Sequence, residues 1–430
     1  MLKSIITDTN LLLDDPEILF KLSTEYDKIV LPLTILKELD KHKHNKDLSY
    51  SARSAIHNII EFKSKYPDKI VFENGEIDSS TNDLKIINTA VETNSTIATK
   101  DLSMSVMAAA KNVDVILYSI VEDRLHDSVI KTSHSELPQD MRYLDSYSGL
   151  DYTYFIGVIS NLYNMFNPTD MCFVIIDCDA AIYVYANNPN TNTVERIDNK
   201  PKYRSIKVNK EVELKAQDEY QICAMYMMSN TDNVLLTGKW GSGKSLLATA
   251  YALANVKEGK KIFITRPPIG IDKKYDIGLL PGSKEEKMIE WFSGIISAMY
   301  YLYSNTRAQQ LEGISFDYVK DEIFYNKFEA IPINAIQGLS LLKDDILIVD
   351  ECQLVSIDYF SMILSRASKG SKILMVGDYN QTYDVVRPSE SGLLKLCRLL
   401  PHRAMGHVDL KSSFRSDLVE LADLLSNKSL

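Results

Sequence analysis

The chain has 430 residues, a hydrophobic fraction of 45% and a formal net charge of −10, which together indicate a globular protein of two or three domains. No apolar run reaches the roughly 18 residues that a bilayer span needs, and Asp8 comes too early for a signal peptide, so we expect a cytoplasmic protein with no membrane partner. The acidic charge argues against a generally basic nucleic-acid binder but still allows a local positive groove.

Residues 1–118 alternate short apolar runs with helical patterns. The β-like runs are Ser4–Thr7, Lys28–Leu31, Lys69–Phe72, Thr96–Thr99 and Asp114–Tyr118, and the helical patterns are Leu33–Lys41, Ser49–Lys65 and Asp83–Thr93. Strand–helix alternation at this spacing predicts a parallel sheet covered by helices.

Four acids stand at positions where such a sheet brings its strand ends together. They are Asp8, Glu38, Asp83 and Asp101. Converging carboxylates repel each other unless a divalent cation neutralises them, and hard oxygen ligands suit Mg²⁺ or Mn²⁺. One or two such ions can hold a water for attack on a phosphodiester. The alternative is that Asp8, Asp83 and Asp101 only cap helices, a role for which Asp83 is well placed.

The ordered set Asp8-Thr9-Asn10, Glu38, Asn82-Asp83 and Thr99-Lys100-Asp101 resembles the PIN-domain ribonucleases over residues 1 to about 118. The resemblance implies that the four acids hold the metal, and that Asn10 and Thr99 hydrogen-bond the acids or the scissile phosphate. The rival interpretation is a degenerate PIN fold without catalysis. A basic run at Lys41–Lys46 fits either an RNA contact or a solvated loop.

Residues 119–212 have a different pattern. From about 119 to 140 the chain is polar and ends in Leu137-Pro138, which indicates a linker. Two strands are predicted at Met171–Ile176 and Ala181–Tyr185, followed by a turn at Asn187–Asn192. This region is either a small β-rich domain or an elaborate connector, and the sequence does not decide between them.

Residues 213–430 return to strand–helix alternation and carry a phosphate-binding loop of pattern G-x-x-x-x-G-K-S/T. The loop consists of Gly238, Lys239, Trp240, Gly241, Ser242, Gly243, Lys244 and Ser245. A predicted strand at Asn233–Leu236 precedes it and a helical pattern at Leu246–Ala254 follows it, which is the context that the motif requires. Backbone N–H groups can then wrap a polyphosphate, Lys244 can reach the β- and γ-phosphates, and Ser245 can ligate Mg²⁺.

Two further strands, Ile346–Val349 and Lys372–Val376, deliver polar groups to the same edge of the sheet. Asp350 is placed to hold Mg²⁺ through water, and Glu351 is the candidate that orients the attacking water. Gly377-Asp378-x-x-Gln381 resembles the third motif of superfamily-one helicases, in which the glutamine senses the γ-phosphate.

Three other residues have competing interpretations. Gln221 resembles the adenine-reading glutamine of the same helicases, or it is an exposed helix residue. Arg415 resembles an arginine finger, with Arg387 as its rival and an ordinary surface arginine as the alternative. Arg266, just after the predicted strand Lys261–Thr265, could meet a phosphate backbone together with Lys273 and Lys274.

The C-terminal motifs closely resemble the PhoH family of ATPases over about Lys215 to Val419. The resemblance rests on the motifs above and on four further stretches: Thr265–Gly270, Asp276–Met288 with Trp291, Glu329–Ile333 and Gln337-Gly338. Trp240 departs from the family, which has a smaller residue there, so we expect it to alter nucleotide affinity or to stack on a neighbour.

Together these resemblances imply an N-terminal PIN-like parallel α/β domain at 1–118 and a RecA-like P-loop domain at 213–430, and the pattern between them predicts a linker and small β-rich connector at 119–212. We expect ATP hydrolysis with Mg²⁺ or Mn²⁺ to move RNA and feed it to the nuclease. The family also implies a homo-hexameric ring. The alternatives are an ATP-gated RNA-binding protein with an inactive PIN domain, and a P-loop phosphotransferase, which would need neither Gln381 nor the N-terminal acids.

Overall fold

The computed structural model of this chain describes residues 3–44, 48–73, 81–118, 127–137, 171–178, 181–267, 292–304, 315–379, 381 and 390–414. The chain divides into two compact units, Met1–Leu125 with Arg387–Glu390 and His126–Val386 with Ser391–Leu430. Each has its own hydrophobic core. Across the described ranges, no helix combines the length and the apolar character that crossing a membrane requires.

The first unit is a five-stranded parallel sheet in the order β3-β2-β1-β4-β5. Its strands are β1 Ser4–Thr7, β2 Lys28–Pro32, β3 Ile70–Glu73, β4 Thr96–Thr99 and β5 Val115–Leu117. Its helices are α1 Thr9–Asp14, α2 Ile18–Glu25, α3 Leu33–His42, α4 Ser49–Lys65, α5 Asn82–Thr93 and α6 Leu102–Ala109. The predicted strands and helices are therefore confirmed to within one or two residues at each end. Because β1 and β4 are neighbours, their carboxyl ends meet at the middle of the sheet.

Three helices of this unit begin at side chains that cap them. Asp8 accepts a hydrogen bond from the Leu11 N–H at the start of α1, and Asp101 accepts from Ser103 and Met104 at the start of α6. The cap of α5 is Thr81, so the interpretation of Asp83 as a cap is wrong. A cap needs an extended backbone, which Thr81 has with φ −130° and ψ 155°, whereas Asp83 already lies in the first helical turn.

The second unit begins with a four-stranded sheet in the order β6-β7-β8-β9. The strands are β6 Val129–Ser133, β7 Cys172–Asp177, β8 Ile182–Asn188 and β9 Thr193–Arg196. The predicted linker is therefore wrong at β6. This edge strand pairs with β7 through its backbone and buries only Val129 and Thr132 fully, so its polar side chains conceal it in the sequence. The predicted turn begins too early, because β8 continues through two buried asparagines, Asn187 and Asn188.

A six-stranded parallel sheet in the order β14-β13-β15-β16-β12-β17 forms the centre of the second unit. Its strands are β12 Val234–Gly238, β13 Ile262–Thr265, β14 Phe328–Ala330, β15 Ile346–Val349, β16 Lys372–Val376 and β17 Gly406–Leu410, and a separate hairpin pairs β10 Ser205–Lys207 with β11 Glu213–Lys215. The helices are α7 Pro201–Arg204, α8 Glu219–Asn230, α9 Lys244–Asn255, α10 Ser293–Ser304, α11 Phe316–Tyr318, α12 Tyr325–Lys327, α13 Ile357–Leu364 and α14 Gly392–Leu399, with a π-helical segment at Val319–Phe324. The predicted class, mixed α/β with parallel sheets, is confirmed in both units.

The connector sheet shares its core with the P-loop sheet. Phe173 and Ile175 of β7 belong to the same cluster of buried residues as Met225 of α8 and Leu236 of β12. Helix α8 is buried on all sides from Gln221 to Met228, which explains why its sequence has no polar face. The separate boundaries at 118 and 212 stay predictions.

Candidate active sites

The phosphate-binding loop connects β12 to α9, as its sequence predicts. Gly238, Gly241 and Gly243 have φ angles of 139°, 74° and 89°, which is the region that side chains with a Cβ avoid. A Cβ on Gly238 would lie 2.3 Å from the backbone oxygen of Leu410 on the neighbouring strand. The strand therefore ends on a glycine because β17 packs against it at backbone distance.

Lys244 folds back over the loop that it follows. Its Nζ donates to the carbonyl oxygens of Gly238 at 2.5 Å and Lys239 at 2.7 Å. Burial lowers the pKa of Lys244, whereas nearby carboxylates led by Asp378 raise it. The ammonium thus sits at the mouth of the loop, where a polyphosphate would compete with the two carbonyls for it.

The two predicted Mg²⁺ ligands lie next to each other. The Ser245 hydroxyl donates to Asp350 Oδ1 at 3.1 Å, and the Asp350 N–H donates to the Thr265 carbonyl of β13. Asp350 is 4% exposed, and its pKa is raised to about 6, mainly by burial and then by the charge of Glu351, while Arg266 and the hydrogen bond from Ser245 oppose the rise. A hydroxyl beside a buried carboxylate is a donor set of hard oxygens that fits Mg²⁺.

Glu351 adopts an unusual backbone. It is not glycine, yet its φ is 52° and its ψ 41°, a left-handed conformation that costs about 1–3 kcal/mol and persists only where the surroundings impose it. Its Oε2 accepts from Gln353 Nε2 at 2.6 Å, and Gln353 Oε1 accepts from the Asp378 N–H at 3.1 Å. Gln353 is fully buried. Its amide group links Glu351 to the loop after β16 through these two hydrogen bonds.

The two predicted glutamines are both buried. Gln381 donates to Asp378 Oδ2 in the loop after β16. Gln221 is 4% exposed, so its interpretation as an exposed helix residue is wrong. Its Nε2 donates to the Ser242 carbonyl at 3.0 Å and its Oε1 accepts from the Gln217 N–H at 2.9 Å, so it holds the phosphate loop from the α8 side. A reading of adenine by Gln221 stays a prediction.

The predicted arginine finger Arg415 and its rival Arg387 lie outside the described residues, as do Lys273 and Lys274. Arg266, which the sequence suggests for a phosphate backbone, lies beside the two acids after β15. Its guanidinium is 3.9 Å from Asp350 Oδ2 and 3.7 Å from Glu351 Oε1. The reason is topological, because β13 and β15 are neighbours and both end at this edge.

In the first unit, Asp8 and Glu38 each accept hydrogen bonds on both of their carboxylate oxygens. Asp8 accepts from the Leu11 N–H through Oδ1 and from the Thr99 hydroxyl through Oδ2. Glu38 accepts from the Thr9 hydroxyl through Oε2 and from the Asn82 amide through Oε1. Thr99 thus contacts an acid as predicted.

Asn10 makes no side-chain hydrogen bond to the acids in the described part of the chain. Its side chain is exposed, and the two hydrogen bonds to Glu38 come from Thr9 and Asn82 instead.

The four acids share one electrostatic neighbourhood. Burial raises the pKa of Asp83, and the charges of Asp101 and Glu38 raise it further. Burial likewise raises the pKa of Asp8, with Asp101 adding to the effect against hydrogen bonds from Thr99 and Leu11. Mutual repulsion of this kind is what a divalent cation relieves.

The described positions of the four acids nevertheless do not form a preorganised metal-binding site. Among the residues with described positions, no three His, Cys, Asp or Glu side chains come together in a group that could hold a metal ion. Asp8 and Asp101 are engaged as helix caps, and Glu38 is held by its two neighbours. The donor chemistry of the cleft fits Mg²⁺ or Mn²⁺, and the carboxylates would have to close around the ion.

Comparison with known families decides what kind of chain this is. Residues 5–119 match the family described as PIN domain, and residues 213–424 match the family described as PhoH-like protein. The chain joins a PIN domain to a PhoH-like domain. It is thus a nucleic-acid-related ATPase that carries a nuclease-type domain.

Among the relatives that align with nearly the whole chain are two bacterial PhoH2 proteins. Protein PhoH2 of Bacillus subtilis (strain 168) is 25% identical over 464 residues, which cover 99% of this chain and 100% of that protein. Protein PhoH2 of Mycolicibacterium smegmatis is 24% identical over 455 residues, covering 97% of this chain and 95% of that protein. A PhoH-like protein of Bacillus subtilis is 29% identical over 203 residues, or 46% of this chain and 56% of that protein. The first two alignments therefore include both the PIN region and the PhoH-like region of this chain.

Sequence reasoning missed Gln353 in the PhoH-like domain. The available signal was its position two residues after Glu351, where an amide can reach back to the carboxylate. It also missed the polar contacts of β17, where Asp409 accepts from the Thr237 hydroxyl at 2.7 Å directly before the phosphate loop.

Proposed function

We propose that this protein is an ATP-dependent RNA helicase coupled to a metal-dependent PIN-type ribonuclease. The observation that supports it most is the convergence of Lys244, Ser245, Asp350 and Glu351 at one end of the PhoH-like sheet, on a chain that also carries the acidic PIN cleft. ATP hydrolysis would move or unwind RNA and deliver it to the nuclease.

In the ATPase site, Lys244 would exchange the carbonyls of Gly238 and Lys239 for the β- and γ-phosphates. Ser245 and Asp350 would hold Mg²⁺, which when bound neutralises charge on the phosphate oxygens. Glu351 would orient the water that attacks the γ-phosphorus, accepting its proton as the bond to the ADP oxygen breaks.

The hydrogen-bond chain behind Glu351 provides a route for sensing the nucleotide. Gln353 binds Glu351 through Nε2 and the Asp378 N–H through Oε1, and Asp378 accepts from Gln381. If Gln381 moves when the γ-phosphate is lost, the movement would therefore be passed through Asp378 and Gln353 to Glu351. Arg415 is proposed to act as the finger across subunits of a homo-hexameric ring in the cytoplasm.

In the PIN domain, Asp8, Glu38, Asp83 and Asp101 would hold Mg²⁺ or Mn²⁺. The ion would supply an activated water for hydrolysis of a phosphodiester bond. The role of the surrounding chain is orientation, because Thr99 and the Leu11 N–H fix Asp8 while Thr9 and Asn82 fix Glu38. Such supporting contacts typically change metal affinity or activity by about 10–100-fold.

A second candidate function has one specific observation in its favour. Two of the four PIN acids already serve as helix caps, and no three of the described acids lie together in a metal-binding group. An ATP-gated RNA-binding protein with an inactive PIN domain would have this arrangement as its only state.

The test uses the purified full chain. We expect ATPase activity that rises with single-stranded RNA, and RNA cleavage in Mn²⁺ or Mg²⁺. Lys244→Ala should abolish ATP turnover and leave basal cleavage of unstructured RNA, whereas Asp8→Asn should abolish cleavage only. The exposed residues Lys257 and Asp114 provide the matched controls Lys257→Ala and Asp114→Asn.

Each part of the proposal has its own refutation. ATPase activity that no nucleic acid changes would refute the motor. Absence of cleavage in every divalent metal, with Asp8→Asn equal to the wild type, would select the ATP-gated binding protein instead. Loss of both activities in Lys244→Ala would mean that cleavage requires ATP turnover even for unstructured RNA.

A further inference from the structure

A short segment after β17 runs against the phosphate-binding loop. We name Lys411–Phe414 the strap. The Ser413 hydroxyl donates to the carbonyl oxygen of Trp240 at 2.8 Å, and the Phe414 N–H donates to the carbonyl oxygen of Gly241 at 3.0 Å. Two consecutive peptide groups of the loop are therefore held by their oxygens from the strap side.

This grip fixes where the N–H groups of the loop point. In a planar trans peptide the C=O and N–H groups point in opposite directions. With the Trp240 and Gly241 carbonyls turned toward the strap, the N–H groups of Gly241 and Ser242 turn away from it. The Ser242 N–H accordingly faces the inside of the loop, where it donates to the Lys239 carbonyl at 3.4 Å. These N–H groups are the donors that a phosphate loop offers to a polyphosphate.

Ion pairs with two carboxylates fix Lys411, the first residue of the strap. Lys411 Nζ donates to Asp409 Oδ2 at 2.5 Å and pairs with Asp127 Oδ2 at 2.9 Å. Asp409 is 5% exposed and also accepts from the Thr237 hydroxyl at 2.7 Å and from the Tyr379 hydroxyl at 3.3 Å. One buried carboxylate thus touches the strap, the end of β12 and the loop that carries Gln381.

The second of these carboxylates, that of Asp127, belongs to the connector. Asp127 is the first described residue after the stretch 119–126, which follows the PIN domain in sequence. Its Oδ1 accepts from the Val129 N–H at 3.0 Å at the start of β6, and the hydroxyl of Ser128 donates to the His407 carbonyl of β17. The connector is therefore fastened to the same strand from which the strap emerges.

We infer that the strap is a positioning element for the phosphate loop, and that Lys411 makes nucleotide affinity depend on Asp127, a connector residue. This inference rests on the proposed ATP binding and goes beyond it. Ser413 and Lys411 are positioning residues, since they reach the nucleotide only through the loop backbone.

The first experiment removes the grip of Ser413 in the full chain. We expect Ser413→Ala to raise the Kd for a fluorescent ATP analogue, and the KM for ATP, about fivefold, the equivalent of one hydrogen bond, with kcat little changed. Ser413→Thr keeps the hydroxyl and should restore wild-type affinity. Thermal unfolding should be the same for both variants, which separates positioning from a structural defect.

The second experiment tests the connector. Asp127→Asn should raise the Kd about twofold, as expected for a partly exposed ion pair, and should add little in the Ser413→Ala background because both changes act through the strap. Asp317→Asn, at an exposed acid elsewhere in the same unit, is the matched control. Lys411→Arg should bind like the wild type, since it keeps the charge beside Asp409.

The outcomes separate this inference from the proposed function. A wild-type chain that binds no ATP analogue would overturn both. A wild-type chain that binds, with Ser413→Ala at the same Kd, would overturn the strap as a positioning element alone. An Asp127→Asn effect of zero, or one that adds in full to Ser413→Ala, would overturn the dependence on the connector.

Discussion

Lys372 provides a quantitative test of the packing at the amino end of the PhoH-like sheet, where β16 and β12 begin side by side. It begins β16, and its Nζ donates to the carbonyls of Met228 and Thr231 at 2.6 Å each, while lying 4.9 Å from the ring centre of Tyr251. These two carbonyls stand at the C-terminal end of α8, the helix that carries Gln221. Burial lowers the pKa of Lys372 from 10.5 to about 8.

The sign of the pH dependence follows from proton binding. Between about pH 8 and 10.5 the unfolded chain keeps the Lys372 proton and the folded chain has lost it, so the unfolded state binds more protons and stability rises with pH. The rise is about 1.4 kcal/mol per pH unit, or about 3 kcal/mol over the whole window. Below pH 8 the full cost of burying the ammonium is present.

The assay compares the wild type with Lys372→Met by thermal or urea unfolding at pH 7, 8, 9 and 10. Other titrating groups are common to both proteins, so the difference in unfolding free energy isolates Lys372. We expect this difference to shift in favour of the wild type by about 2–3 kcal/mol between pH 8 and 10. Lys369→Met, at an exposed lysine three residues away, should show a constant difference. If the unfolding free energies of the wild type and Lys372→Met change in parallel with pH, the burial of the Lys372 amino group is refuted.

Three further predictions concern the candidate sites. Gln353→Met leaves the Asp378 N–H and a Glu351 oxygen without their partner, so we expect kcat for ATP to fall about tenfold and stability by about 1–3 kcal/mol; an unchanged kcat would show that Gln353 does not position Glu351. Glu351→Gln should bind a fluorescent ATP analogue like the wild type but hydrolyse ATP at least about 100-fold more slowly, and normal turnover would exclude it as the group that orients water. Thr99→Val should lower RNA cleavage about 10–100-fold by releasing Asp8 and leave ATPase activity unaltered, and equal cleavage by the variant would count against this support.

The sequence predicts most of the two parallel sheets because their strands are short apolar runs bounded by polar residues. Strands β1, β4, β15 and β16 end where the pattern places them. Apolar runs of this kind arise when both faces of a strand are covered by helices. The burial of the strand is therefore visible in the sequence as a run of apolar residues.

Among the strands that the sequence does not predict, β6 and β17 have a common physical explanation. β6 is an edge strand with an exposed lysine, and β17 places His407 and Asp409 in the interior. The buried polar groups of β17 have specific long-range partners: the hydroxyl of Thr237 donates to Asp409 and is hydrogen-bonded to His407 Nε2. No local pattern reveals partners that are about 170 residues away in sequence.

The PIN acids show a different limit. A carboxylate at the end of a strand is suited both to cap the next helix and to ligate a cation, because both tasks need an acceptor at the same edge of the sheet. The structure places Asp8 and Asp101 in the first role. The second role depends on how closely the side chains approach a shared cation, which residue types and spacing do not encode.

The two candidate sites differ in how their acids are supported. Around the phosphate loop, each acid has a partner that opposes its charge or orients it: Ser245 and Arg266 for Asp350, Gln353 for Glu351, and Lys411 for Asp409. In the PIN cleft the acids are oriented by hydroxyls, an amide and backbone N–H groups; burial raises the pKa of Asp83, and the charges of Asp101 and Glu38 raise it further. At the ATPase site Arg266 opposes the repulsion between Asp350 and Glu351, whereas in the PIN cleft a bound cation would be what relieves the repulsion among the four carboxylates. Metal concentration should accordingly govern the nuclease more steeply than the motor.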